Sequence, residues 1–192
     1  MGRDEIDVNR RKLLFGFVDK LRGKPEAAPV ASASQTAPML AAANAAFAAG
    51  NWEAAAGHYR EFLQAESENL EARQRFGECQ YRLGRYIQAK VEFERIMQKS
   101  RTNNRAILFL GLVLARLDRA QKAAVVWKLF FDPHNVAVQR ELNIQIALVE
   151  AAGEAAGEAA GEAAGENADA AASVNLPQGA QMAEAVERAL LA

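Results

Sequence analysis

The sequence predicts an all-α protein: an α-solenoid of helix–turn–helix repeats with flexible terminal extensions. Three observations carry this. A shift of 34 residues lays the chain on itself in six columns of like chemistry. Glycines recur where each unit needs a hinge, and the apolar residues after the last unit recur in helical steps of three and four.

The columns are specific. Gly77 falls on Gly111 ahead and Ala43 behind, Ala89 on Ala123 and Ala55, and Phe93 on Trp127 and Tyr59. Ile96 falls on Phe130 and Phe62, Gly84 on Gly50, and Tyr86 on Trp52. Each unit reads as two helices with a break. The first helices are expected over 38–49, 70–83 and 104–117, the second over 52–65, 86–99 and 120–131. Gly50 and Gly84 suit a helix C-terminus at positive φ, and Asp118 is their counterpart in the third unit. Gly77 costs its helix roughly 1 kcal/mol relative to Ala. Close approach of the second helix, with an aromatic filling the space opposite, is the expected compensation.

These columns resemble the tetratricopeptide-repeat family, whose unit is a 34-residue helical hairpin. The resemblance covers about residues 36–133 and rests on Ala43, Gly77 and Gly111; Gly50 and Gly84; Ala55, Ala89 and Ala123; and Tyr59, Phe93 and Trp127. Departures from it are Ser67 and Arg101 where a unit-ending proline is common, Pro133 slightly early, and Ala46, Gln80 or Leu114 in place of a mid-helix tyrosine. The resemblance implies a concave groove lined by the first helices. Its lining here would be Leu40, Asn44 and Phe47, then Glu71, Gln74, Glu78, Tyr81 and Arg82, then Arg105, Leu108, Leu112 and Arg116. One subfamily clamps a partner's C-terminal carboxylate. Asn44 and Arg105 match that clamp, whereas Leu40, Arg75 and Phe109 do not, which disfavours that ligand. A groove apolar at its ends and charged in the middle suits an amphipathic helix or an extended peptide. The competing reading has Leu108 and Leu112 packing against the chain's own segments, such as an N-terminal helix.

Three units leave an exposed end, so a capping helix is expected within residues 134–152. Val138, Leu142, Ile146 and Val149 supply its apolar stripe, after a turn and N-cap region at Asp132–Asn135. Residues 153–179 follow as a low-complexity spacer. Their repeated Glu-Ala-Ala-Gly unit has a period of four, which builds no fixed apolar stripe, so a marginally helical, solvated segment is expected. Residues 180–192 can form a short helix with Met182, Val186, Ala189 and Leu190 on one side, either a tethered docking segment or a frayed end.

The N-terminal end is basic and amphipathic over residues 1–24, and residues 25–37 read as a flexible linker. Leu13, Leu14, Phe17, Val18 and Leu21 share a face, with Arg10 and Arg11 among the flanking cations. Docking on a protein partner or on the repeat domain itself, lying on an anionic membrane surface, and export by a twin-arginine-like signal are the three readings. The apolar stretch before Asp19 and Lys20 is short for an export signal.

Net charge is −1, yet residues 1–24 hold seven Lys/Arg against four Asp/Glu, and residues 150–192 hold one against eight. This is no nucleic-acid binder's basic excess. The single cysteine, Cys79, lies in an apolar helical pattern and reads as a small core residue. His58 and His134 have no neighbours at metal-ligand spacing, and no phosphate loop, nucleophile elbow or paired-cysteine motif occurs. The expectation is a non-enzymatic, cofactor-free interaction module with a protein partner: an adaptor, scaffold or assembly factor in the cytoplasm, held at the inner membrane face through residues 6–22 in one reading. The rival is an exported or membrane-associated accessory subunit of a larger enzyme complex, such as a redox complex.

Overall fold

The computed structural model describes residues 33–163 and 177–192, with side chains over 36–156 and 177–192. Thr36–Ala192 form one compact unit; Met1–Gln35 form another, described only where the first helix begins. The described residues form helices and turns. In chain order the helices are α1 (Ala33–Ala48), α2 (Trp52–Ala65), α3 (Leu70–Arg82), α4 (Tyr86–Lys99), α5 (Asn104–Arg116), α6 (Ala120–Trp127), α7 (Val136–Ala163) and α8 (Gly179–Leu190). From α2 onwards consecutive helices pack against one another, α1 meets α2 through Asn44 and Phe47 on Tyr59, and the first helices of the second and third units, α3 and α5, also touch.

The three hinges share one geometry. Gly50 and Gly84 adopt φ of 72° and 71°, and Asp118 takes the same place at φ 56°. Around each, two backbone bonds close the helix end in a Schellman arrangement. Gly50 N donates to Phe47 O and Asn51 N to Ala46 O; Gly84 and Arg85, then Asp118 and Arg119, repeat the pair. The expected hinge chemistry therefore holds in all three units. Asparagine side chains cap several helix starts, and two of them, Asn69 and Asn103, recur at the 34-residue offset. The side chains of Asn51, Asn69 and Asn103 accept bonds from Ala54 N, Ala72 N and Ala106 N. Each satisfies a backbone donor that the helix leaves free.

Between the helices of a unit, the small-against-aromatic pairing is observed. A Cβ built on Gly77 would stand 2.9 Å from Cζ of Phe93, and one on Gly111 only 2.0 Å from Nε1 of Trp127. Tyr59, Phe93 and Trp127 are completely buried. An ion pair of 2.5 Å between Arg73 and Glu92, both nearly enclosed, fastens α3 to α4.

Helix α5 differs from its equivalents. Every residue from Ala106 to Ala115 is buried, and a helix apolar on all sides needs neighbours on all sides. It touches α4, α6 and α8 as well as α3.

Three boundaries differ from expectation. Helix α1 starts at Ala33, inside the expected linker, and carries Pro38 within it. Helix α6 ends at Trp127 rather than 131, followed by tightened turns at Leu129 and Phe130. Pro133 explains this: it disfavours helical backbone at Asp132, and Asn104 holds the Phe131 backbone instead. The capping helix α7 is present, with Val138, Leu142, Ile146 and Val149 buried as expected. It continues through the expected spacer to Ala163, because alanine propagates a helix already nucleated on the core and no capping residue stops it. Finally, α8 is docked, with Gly179, Met182, Ala183 and Val186 buried.

Candidate functional site

The groove face of the first helices has an open half and a covered half. The open half is a cleft of about 340 Å³ lined by Asn44, Phe47 and Ala48 of α1, Glu71, Gln74, Arg75 and Glu78 of α3, and Arg105 of α5. Six of the expected groove residues thus meet around one space: Asn44, Phe47, Glu71, Gln74, Glu78 and Arg105.

Its polar groups are held in place by one another. The Asn44 Oδ1 atom accepts from the Tyr59 hydroxyl and from Arg75 Nη1, each at 2.7 Å. Arg75 also reaches Glu71 at 2.7 Å and lies over the Phe47 ring. Glu78, almost fully buried, receives Nε and Nη2 of Arg105 at 2.5 and 2.8 Å, a forked pair. The bonds from Glu78 raise the pKa of Arg105, while burial works against them. The guanidinium also lies over the Phe109 ring. The floor is therefore aromatic, and the cations and carboxylates around it are pre-positioned. Such a surface can take an apolar side chain and orient flanking polar groups.

The covered half holds the residues that the sequence reading leaves open to a partner. Tyr81, Leu108 and Leu112 are buried and cannot line a free groove, a correction to that reading. The chain's own C-terminal helix accounts for this. Helix α8 packs on α5 and α7, and its Met182, Ala183 and Val186 join the core cluster that contains Leu108 and Leu112. Glu187 of α8 accepts from the Tyr81 hydroxyl and from Arg116 Nη2, the latter at 2.8 Å. Glu184 lies 3.6 Å from the same guanidinium. Burial first, and then the bond to Glu187, push the Tyr81 phenol above its ordinary range. Of the remaining groove residues, Leu40 packs half-buried against the first-unit core, and Arg82 is exposed over the Trp52 ring, outside the cleft.

The segment with Arg10, Arg11, Leu13, Leu14, Phe17, Val18 and Leu21 lies outside the described residues. Cys79 is completely buried, and burial, then the neighbouring Glu78, push its thiol up to about 12. A thiol held neutral is no nucleophile at physiological pH. His58 sits half-buried on α2, and His134 is exposed in the turn before α7. Among the described residues no helix is long and apolar enough to cross a membrane.

Sequence reasoning missed two features. The asparagine caps were legible, since Asn69 and Asn103 stand 34 residues apart. The bond from Tyr81 to Glu187 spans 106 residues and leaves no periodic trace.

Comparison with known proteins agrees with the hairpins. Residues 46–110 match a family model described as tetratricopeptide repeat. No curated protein and no solved structure matches the chain. The matched stretch runs from the last turn of α1 into α5, and the hairpin geometry continues beyond it through α6. The hinges, the small-against-aromatic columns and this match over residues 46–110 are together consistent with a tetratricopeptide-repeat protein.

Proposed function

We propose that this protein is an adaptor, scaffold or assembly factor that holds a peptide or helix of a protein partner in the cleft between α1, α3 and α5. Tetratricopeptide repeats are protein-interaction modules and are typically non-catalytic, and the family match supports that general role. The observation that carries the finer reading is the cleft itself. It spans all three units, has Phe47 at its base, and keeps its charged groups fixed by bonds to one another. Fixed groups cost little further ordering when a ligand arrives, which is the physical basis of preorganised recognition.

The test uses the full chain with Glu71→Arg and Gln74→Arg together, both on the cleft rim. A second variant, Lys122→Glu on α6, serves as a control away from the cleft. Affinity capture followed by mass spectrometry should lose the specific partner with the cleft variant and keep it with the control, both melting like the parent. Capture of the same partners by all three proteins would remove the cleft as the binding site.

A further inference from the structure

The covered half of the groove shows what kind of helix fits it, because one is bound there. Helix α8 has 12 residues, too few to be stable alone in water, so its order comes from the surface beneath it. That surface makes three demands. At Gly179 a Cβ would stand 2.0 Å from the Ala115 carbonyl oxygen, so the helix must be small where it crosses the end of α5. Met182, Ala183 and Val186 then enter the buried cluster. Two turns beyond Gly179, a carboxylate must meet Arg116 and Tyr81, as Glu187 does.

We propose that α8 is an in-cis occupant of a helix-binding site formed by α5, α7 and Tyr81, and that the site's partner is a helix of the same chemistry. Such a partner has a small residue at its leading end, a short apolar face, and an acidic residue about two turns on. This rests on the reading of the groove as a protein-binding surface and adds the partner's chemistry and its control. The charge at the edge selects the sign: Arg116 is a cation with only a fifth of its side chain exposed, and both its carboxylate partners, Glu187 and Glu184, come from α8, so a helix without acidic residues there would leave it unpaired. The basic N-terminal segment, with seven Lys/Arg against four acidic residues, brings like charge there and does not fit. Tethering within one chain supplies an effective concentration on the order of millimolar. A separate helix making equal contacts is therefore excluded until α8 leaves, and α8 acts as a gate on the site as well as a template for its ligand.

The experiment uses the full chain with a protease site introduced between residues 164 and 176, cut after folding. The probe is a fluorescent peptide of residues 177–192. The cut protein should exchange its own fragment for the probe in a saturable manner, and the uncut protein should bind it about 100-fold or more weakly. A Glu187→Lys probe should bind the cut protein about ten-fold or more weakly, and Arg116→Glu in the protein should recover that loss in large part. A cut protein that keeps its fragment through prolonged dilution, without exchange, would show α8 to be a fixed part of the core and overturn the proposal. Equal probe binding before and after cutting would overturn it too, by placing the probe elsewhere. Dimers of uncut protein that trade labelled α8 between copies would replace it with helix swapping. The Glu71/Gln74 variant reports on the open cleft alone, so failure of that reading is distinguishable from failure of this one.

Discussion

Gly111 and Trp127 form the tightest small-against-aromatic contact of the repeat: a Cβ on Gly111 would lie 2.0 Å from the indole Nε1 and 2.4 Å from Cδ1. The same indole nitrogen donates to Leu108 O at 3.2 Å. The ring is completely buried, so it cannot yield without losing that bond. Gly111→Ala should therefore destabilise the domain by about 2–3 kcal/mol, the overpacking cost exceeding the roughly 1 kcal/mol gained in helix propensity. Gly77→Ala meets only the tip of Phe93, at 2.9 Å. That ring can shift by a few tenths of an ångström, so the cost should be about 1 kcal/mol or less. Urea denaturation of both variants checks the order; equal losses would contradict it.

Gln80 is buried, and its Oε1 accepts no hydrogen bond within the protein. The equivalent position one unit on is Leu114, also buried. Gln80→Leu should stabilise the domain by about 1 kcal/mol, since an unsatisfied acceptor is removed and volume is kept. A thermal melt several degrees higher is the expected result.

The Glu78–Arg105 pair predicts an asymmetry. Arg105→Ala leaves a carboxylate whose side chain is 5% exposed without its partner. The loss should be about 1–2 kcal/mol, below that of a fully enclosed pair because more than half of Arg105 faces solvent. Adding Glu78→Leu to Arg105→Ala should recover most of it. A double variant as unstable as the single one would show that the pair is not what matters there.

Alkaline pH should weaken the fold. The Cys79 thiol is pushed from 9.0 to about 12 by burial, and burial likewise raises Tyr59 and Tyr81. Each group is neutral in the folded protein over a range where the unfolded chain ionises. The stability they contribute is intact below pH 9 and is lost as pH climbs from there towards 12. Between pH 8 and 10.5 the domain should lose about 2 kcal/mol or more, and Cys79→Ala should reduce that slope while costing some stability at all pH values. Urea midpoints at the two pH values, parent against variant, measure the difference. An unchanged slope would mean that the thiol does not titrate with unfolding.

Much of the fold was legible because its causes are local and recur. The hinges at Gly50, Gly84 and Asp118 follow from which residues tolerate positive φ. The Gly77 and Phe93 columns follow from one packing contact repeated at a fixed offset. The open cleft was legible for the same reason: Asn44, Glu71, Gln74, Glu78 and Arg105 occupy fixed places in a known hairpin. Its internal bonding was not, since the links of Arg75 to Asn44 and of Arg105 to Glu78 cross 31 and 27 residues.

By itself, then, the sequence determined the repeat, its register, its hinges and the existence of a final amphipathic helix. Only the tertiary structure decided that this helix packs on the helix that holds Leu108 and Leu112 and joins their buried cluster. The physical reason is that helical periodicity states which face of α8 is apolar but not which surface will bury it. That choice was made by complementarity across the fold: Gly179 against the Ala115 carbonyl, and Glu187 between Tyr81 and Arg116.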